Sequence, residues 1–217
     1  MTTLYPNMTN PICENDLVVF QGDSITDAGR VGAPDGLGGG YVAMVAGTLR
    51  ARHAHLGLKV VNRGLGGDRT TELLARWKHD ALDLKPQVLS ISIGVNDVWR
   101  LRGEWNGQTH VTPQQYRQNY QRLLDQAKAA GIRQLVLMSP TTIFDDADAE
   151  VSGLLDECST CVAELARQFD AVYVPTREVQ KEAMRTAPEV KWTSDGCHPT
   201  VAGHALLAAT WLKAVGL

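Results

Sequence analysis

Leu17-Val18-Val19-Phe20-Gln21-Gly22-Asp23-Ser24-Ile25 is the stretch that decides the fold. Its four apolar residues read as a short buried strand, and the run stops at a Gly-Asp step that delivers a serine. The same unit, a short apolar run followed by a turn, recurs along the chain. Lys59-Val60-Val61-Asn62 is a second strand, followed by the glycine-rich Arg63-Gly64-Leu65-Gly66-Gly67-Asp68. Pro86 opens a third, Val88 to Ile93, whose Val-Leu-Ser-Ile-Ser-Ile pattern suits the centre of a sheet; Gly94-Val95-Asn96-Asp97 follows it. Arg133 to Met138 and Ala171 to Val174 are the fourth and fifth. Helical patterns separate them. Tyr41 to Arg52 places Val42, Val45, Ala46 and Leu49 on one face, and Thr70 to Leu82 starts at Thr70 or Thr71 as its cap. Thr112-Pro113 starts a helix that runs to about Ala130 and stops at Gly131. Glu150 to Phe169, Pro175 to Ala187 and Pro199 to Val215 complete the set. Strands alternating with helices predict an α/β domain with a parallel sheet covered on both faces. One domain is expected over residues 1–217, with residues 1–15 as a polar leader.

Composition narrows the function. At 217 residues and 44% hydrophobic the chain suits one domain with a sizeable core. The net charge is −3 and basic residues are not clustered, so nucleic acid is not an expected partner. No apolar run approaches the roughly 20 residues of a membrane span. Nothing before Asp16 resembles a basic region followed by an apolar one, so the expected address is the cytoplasm. Cys158 and Cys161 form a C-x-x-C inside a long helical pattern, where packing explains them better than redox or metal chemistry. The six histidines show no H-x-x-x-H spacing, and no metal is expected.

In open α/β sheets, ligands bind at the carboxyl ends of the strands. Strand order alone therefore gathers the conspicuous segments at one edge. Ser24, projecting from a tight turn after a strand, is a candidate nucleophile. It is not on a G-x-S-x-G elbow, because Thr26 stands where the second glycine would be. His198 is the candidate base and Asp195, three residues earlier, the carboxylate that orients it. The Ser24 N–H, the Gly67 N–H and the Asn96 side-chain amide are candidate donors to an oxyanion. Each has a plain structural alternative: a turn cap for Ser24, a left-handed turn for Gly67, an Asx turn for Asn96, a solvated pair for Asp195 and His198. Singly those alternatives win. Together, in this order at successive strand ends, the residues form a set fit for acyl transfer.

The blocks resemble those of the SGNH (GDSL-type) hydrolases. Gly22-Asp23-Ser24-Ile25 is similar to the first block, Gly67 before Asp68 to the second, Gly94-Val95-Asn96-Asp97 to the third, and Asp195-Gly196-Cys197-His198-Pro199 to the last, with Ile25 replacing the leucine of the family name. The resemblance spans essentially the whole chain. It implies a flavodoxin-like three-layer α/β/α sandwich with a five-stranded parallel sheet, and ester hydrolysis needing neither metal nor cofactor. A narrower likeness extends beyond the blocks. Gly22 to Arg30, Gly40-Tyr41-Val42-Ala43, Asn96-Asp97-Val98-Trp99-Arg100 and His198 to His204 resemble bacterial acetylxylan esterases. That likeness implies an acetylated sugar as substrate and association with further copies of the chain, for which Gly32 to Gly40 or Arg100 to His110 would supply contacts. The alternatives are a broad short-chain esterase, thioesterase or lysophospholipase with a long acyl groove, and a noncatalytic sugar-binding protein.

Around the site, Trp99 and Trp192 are candidates to stack on a sugar ring, with packing as the alternative. Arg63 and Arg69 flank the second block as candidates to line the mouth, with a solvated rim as the commoner alternative, while Trp77 and Trp105 read as structural. Asp23 is grouped with Arg63, Trp99 and Trp192 on the substrate side and is also expected to brace the nucleophile's turn; Asp27 and Arg30 are expected to pair.

Overall fold

The computed structural model describes residues 11–103, 107–141 and 149–217; Trp105 and the first ten residues of the leader lie outside them. Five strands form one sheet: β1 (Leu17–Gly22), β2 (Lys59–Asn62), β3 (Val88–Ser92), β4 (Gln134–Met138) and β5 (Val172–Val174), in the order β2-β1-β3-β4-β5. Every pairing is parallel, with Val18 opposite both Val60 and Val88, and Ser90 opposite Val136. This is the flavodoxin-like order, and the chain's direction of winding reverses between β1 and β3. The central β3 is buried throughout.

The helices are α1 (Ser24–Asp27), α2 (Tyr41–Arg52), α3 (Thr70–Asp80), α4 (Val95–Trp99), α5 (Pro113–Ala129), α6 (Ala149–Gln168), α7 (Thr176–Thr186) and α8 (Val201–Ala214). Neighbouring residues of β1 show how they divide. Phe20 meets Tyr41 of α2 (ring centroids 5.9 Å apart) and Trp211 of α8 (5.1 Å), whereas the Gln21 amide bonds Asp80 and Arg76 of α3. Successive strand side chains point to opposite faces, so α2 and α8 cover one face and α3 the other. Trp77 of α3 donates to the Leu123 carbonyl of α5, which extends the second layer.

The helix starts follow local chemistry where it exists. Thr112 caps α5 and exchanges hydrogen bonds with Gln115, with Pro113 as the first helical residue. The cap of α3 departs from expectation. Arg69 occupies that position, and both the N–H and the hydroxyl of Thr70 donate to Asp97, beyond β3. Glu72 accepts the Arg69 N–H locally at 3.0 Å, but the Thr70 donors are met by a carboxylate from a different part of the chain, which spacing within one helix does not reveal. β1 also runs two residues past the apolar stretch, because buried Gln21 finds hydrogen-bond partners on α3.

Candidate active site

The turn between α7 and α8 brings the last block to the first. Thr193 and Pro199 form an antiparallel bridge, the Ser194 N–H donates to the His198 carbonyl (2.8 Å), and Thr200 caps α8. Gly196, at φ +88°, makes the reversal. Within it, Asp195 Oδ1 accepts the N–H groups of Cys197 (3.0 Å) and His198 (2.8 Å), and Asp195 Oδ2 lies 2.7 Å from His198 Nδ1. His198 Nε2 lies 2.9 Å from Ser24 Oγ across 174 positions of sequence. With Nδ1–H donated to the carboxylate, Nε2 is left to accept the serine proton. Burial opposes the charge on Asp195, but hydrogen bonds from the His198 ring and from the His198 and Cys197 amides outweigh it, and its pKa falls to about 2.

The expected oxyanion donors gather at the same edge. Ser24 opens α1, so its N–H is among the first-turn donors that lack intrahelical acceptors. Gly67 has φ +84°, a conformation glycine adopts without penalty. A Cβ on the adjacent Gly66 would stand 3.8 Å from the Ser24 Cβ, which locates this loop beside the nucleophile. Asn96, buried on α4, donates to the Asp68 carbonyl at 3.1 Å. That uses one of the two donors of its amide.

The flanking residues divide. Asp23, expected on the substrate side, is buried at 3% exposure and accepts the Ile25 N–H at 3.0 Å. It braces the nucleophile's turn and does not face a substrate, because the reversal into α1 turns its carboxylate inward. Burial raises its pKa to about 7, and the nearby Asp97 and Asp68 add to the rise. Asp97 is likewise raised to about 6 by burial, against the hydrogen bonds of Thr70. Trp192 is half-buried, and its indole donates to the Ala187 carbonyl at 3.1 Å. Trp99 is half-buried against the core. Arg63 is half-buried, and its backbone pairs with the Phe20 carbonyl and with Arg76. Arg69, expected at the mouth, pairs with Glu72 and donates to the Thr109 carbonyl. Asp27 accepts the Arg30 N–H at 3.1 Å, and Arg30 Nε reaches the Gly64 carbonyl at 2.6 Å.

Several residues escaped the sequence reading. Asn62 donates to the carbonyls of Thr26 (2.6 Å) and Leu37 (2.9 Å) and accepts the Gly64 N–H (2.9 Å), joining α1 to two loops. His204 Nδ1 accepts the first N–H of α2 from Tyr41 at 3.2 Å, and burial holds its pKa down at about 4. Arg76 of α3 binds five acceptors around the first two blocks. A buried asparagine at a strand end is a faint signal; Arg76 offers little, since two of its acceptors are backbone carbonyls and a third, Gln21, lies far away in sequence. A groove of about 560 Å³ lined by Tyr116, Arg117, Cys158 and Cys161 includes none of the site residues. Burial raises the Cys158, Cys161 and Cys197 thiols, which keeps them neutral.

Comparison with known proteins agrees with this geometry. Residues 20–206 match the model of the GDSL-like Lipase/Acylhydrolase family. The acetylxylan esterase of Geobacillus stearothermophilus is 34% identical over 212 residues, covering 94% of this chain and 96% of that protein. Its solved structure superposes with a TM-score of 0.87 at 33% identity, over 95% of this chain and 97% of the other. Variants of it described as catalytic mutants at an aspartate, a serine and a histidine superpose equally well, with TM-scores of 0.88, 0.86 and 0.87. A match that takes in all four blocks, and a relative alike over nearly its whole length, leave one assignment: the chain belongs to the GDSL-like lipase/acylhydrolase family.

Proposed function

We propose that this chain is a serine esterase that removes acetyl groups from acetylated xylo-oligosaccharides through an acetyl-enzyme intermediate. The observation that carries the reading is the unbroken hydrogen-bond chain from Ser24 Oγ through His198 to Asp195, beside Gly67 and Asn96. Ser24 Oγ attacks the acetyl carbonyl while His198 Nε2 takes its proton, and ionised Asp195 steadies the imidazolium. The Ser24 and Gly67 N–H groups and the Asn96 amide hold the tetrahedral oxyanion, a contribution worth roughly 10²–10³ in turnover per donor. His198 then protonates the departing sugar oxygen as the C–O bond breaks. Water, deprotonated by His198, attacks the acetyl-serine, and acetate leaves as the proton returns to Ser24. The substrate class rests on likeness to the acetylxylan esterase. Trp99, Trp192 and Arg63 are proposed to line the sugar's approach.

Ser24→Ala is expected to abolish turnover of 4-nitrophenyl acetate and acetate release from acetylated xylo-oligosaccharides; activity at the wild-type level would end the assignment. A steep fall from acetyl to octanoyl esters separates a deacetylase from a thioesterase or lysophospholipase. Binding of sugar without acetate release, and without fluorophosphonate labelling of Ser24, would point to the noncatalytic alternative. The proposal includes work in the cytoplasm and self-association. Among the described residues the exposed large apolar side chains are Val31, Leu65 and Val201, and the sequence places each within eight positions of a site residue. Light scattering reads the mass directly, and a monomer at working concentration would remove the association.

A further inference from the structure

We infer that Arg76 is a positioning residue that sets the geometry of all three oxyanion donors; this rests on the esterase reading above. Its guanidinium, on the second turn of α3, is the point where the first two blocks meet. Arg76 Nη2 donates to the Gly22 carbonyl at 3.1 Å, two residues before Ser24. Arg76 Nη1 donates to the Arg63 carbonyl at 2.8 Å, and Nε pairs with Asp68 Oδ2 at 2.5 Å. Those two bonds hold both ends of the loop that contains Gly67. The third donor is tied in through Asp68, whose carbonyl accepts the Asn96 amide at 3.1 Å. Gln21 and Asp80 complete the set, at 2.8 and 3.1 Å from Nη1. The Gly22 carbonyl also accepts the Leu65 N–H at 3.0 Å, so the two blocks share one acceptor.

The arrangement suits an arginine and no other residue. Three nitrogens in a rigid plane reach acceptors on β1, on the loop after β2 and on α3 together, whereas an ammonium is a single point of charge. Asp68 is buried at 4% exposure, and without the guanidinium its carboxylate would be left unpaired there. The cost would fall on the loop bearing Gly67. Oxyanion stabilisation depends on donors already fixed before charge develops, so loosened donors slow turnover more than they weaken substrate binding.

Arg76→Ala is expected to lower kcat on 4-nitrophenyl acetate about 10²-fold, counted per site titrated with a fluorophosphonate, and to move KM less than about threefold. The side chain is 14% exposed, so solvent reaches the space it would vacate. Added guanidinium ion, below denaturing concentrations, is expected to recover about tenfold of the lost kcat, a response that general loosening of the fold would not give. Arg76→Lys should fall between wild type and alanine. The inference is overturned by a kcat within about threefold of wild type, by a loss confined to KM, or by a folded variant that guanidinium does not revive. Should Arg76→Ala fail to fold, Arg76→Lys decides on the same split: a tenfold kcat loss at constant KM supports the role, and full turnover removes it. Failure of the esterase reading would look different, with wild type inactive or Ser24→Ala fully active whatever Arg76 does.

Discussion

Asp23 stands next to the nucleophile, yet burial governs its behaviour. Its carboxyl, ordinarily near 3.8, is raised to about 7 by removal from water, with Asp97 and Asp68 close by. The folded protein therefore keeps a proton that the unfolded chain releases from about pH 4 upward. Wild-type stability is predicted to decline as pH rises from about 4 to 7 through this group, and to level off above. Asn at this position has no proton to lose and still offers an oxygen to the Ile25 N–H. Asp23→Asn is expected to gain stability over wild type across that window, reaching on the order of 1–4 kcal/mol at pH 8. Urea melts at pH 5 and pH 8 measure it, and an equal difference at both would contradict the account. Asp195 behaves oppositely. Its low pKa of about 2 keeps it ionised at neutral pH, so the carboxylate that orients the base is present there.

At the scale of elements, the site is a matter of how closely loops approach. A Cβ on Gly64 would lie 2.2 Å from the Asp27 nitrogen and 2.7 Å from the Thr26 carbonyl carbon, so the loop after β2 rests against the backbone of α1. Gly64→Ala must force the two apart, at a cost of about 1–3 kcal/mol and with kcat reduced as Gly67 withdraws from Ser24. A variant with unchanged melting and turnover would show that the loops tolerate separation. These elements also show how far the chain can be read locally. The strands and the helices over 41–52 and 113–129 were legible, because apolar spacing and the Thr112-Pro113 start are local signals. The α3 cap was not, because its acceptor, Asp97, is 27 positions away. Nor was the inward turn of Asp23, since a serine's neighbour looks equally free on paper.

Across the whole molecule, α8 determines whether nucleophile and base meet. Trp211, fully buried, packs at a tilt beside Phe20 of β1 and donates to Ser90 Oγ of β3 at 3.0 Å. It seats α8 on the strands that carry Ser24 and Asn96, and the turn preceding α8 holds His198. Trp211→Ala is expected to cost about 3–5 kcal/mol, lowering the melting temperature and the fraction of protein with His198 in reach of Ser24. Unchanged stability would mean that α8 is held by other contacts. The sequence by itself determined the alternation of strand and helix, the parallel sheet, and the four blocks that name the chemistry, because these depend on residue type and short-range periodicity. Only the tertiary structure decided which donors are held, and by what. Arg76, Asn62 and Asp97 act on backbone groups and side chains brought near by folding, and a carbonyl or an N–H looks the same at every position of a sequence.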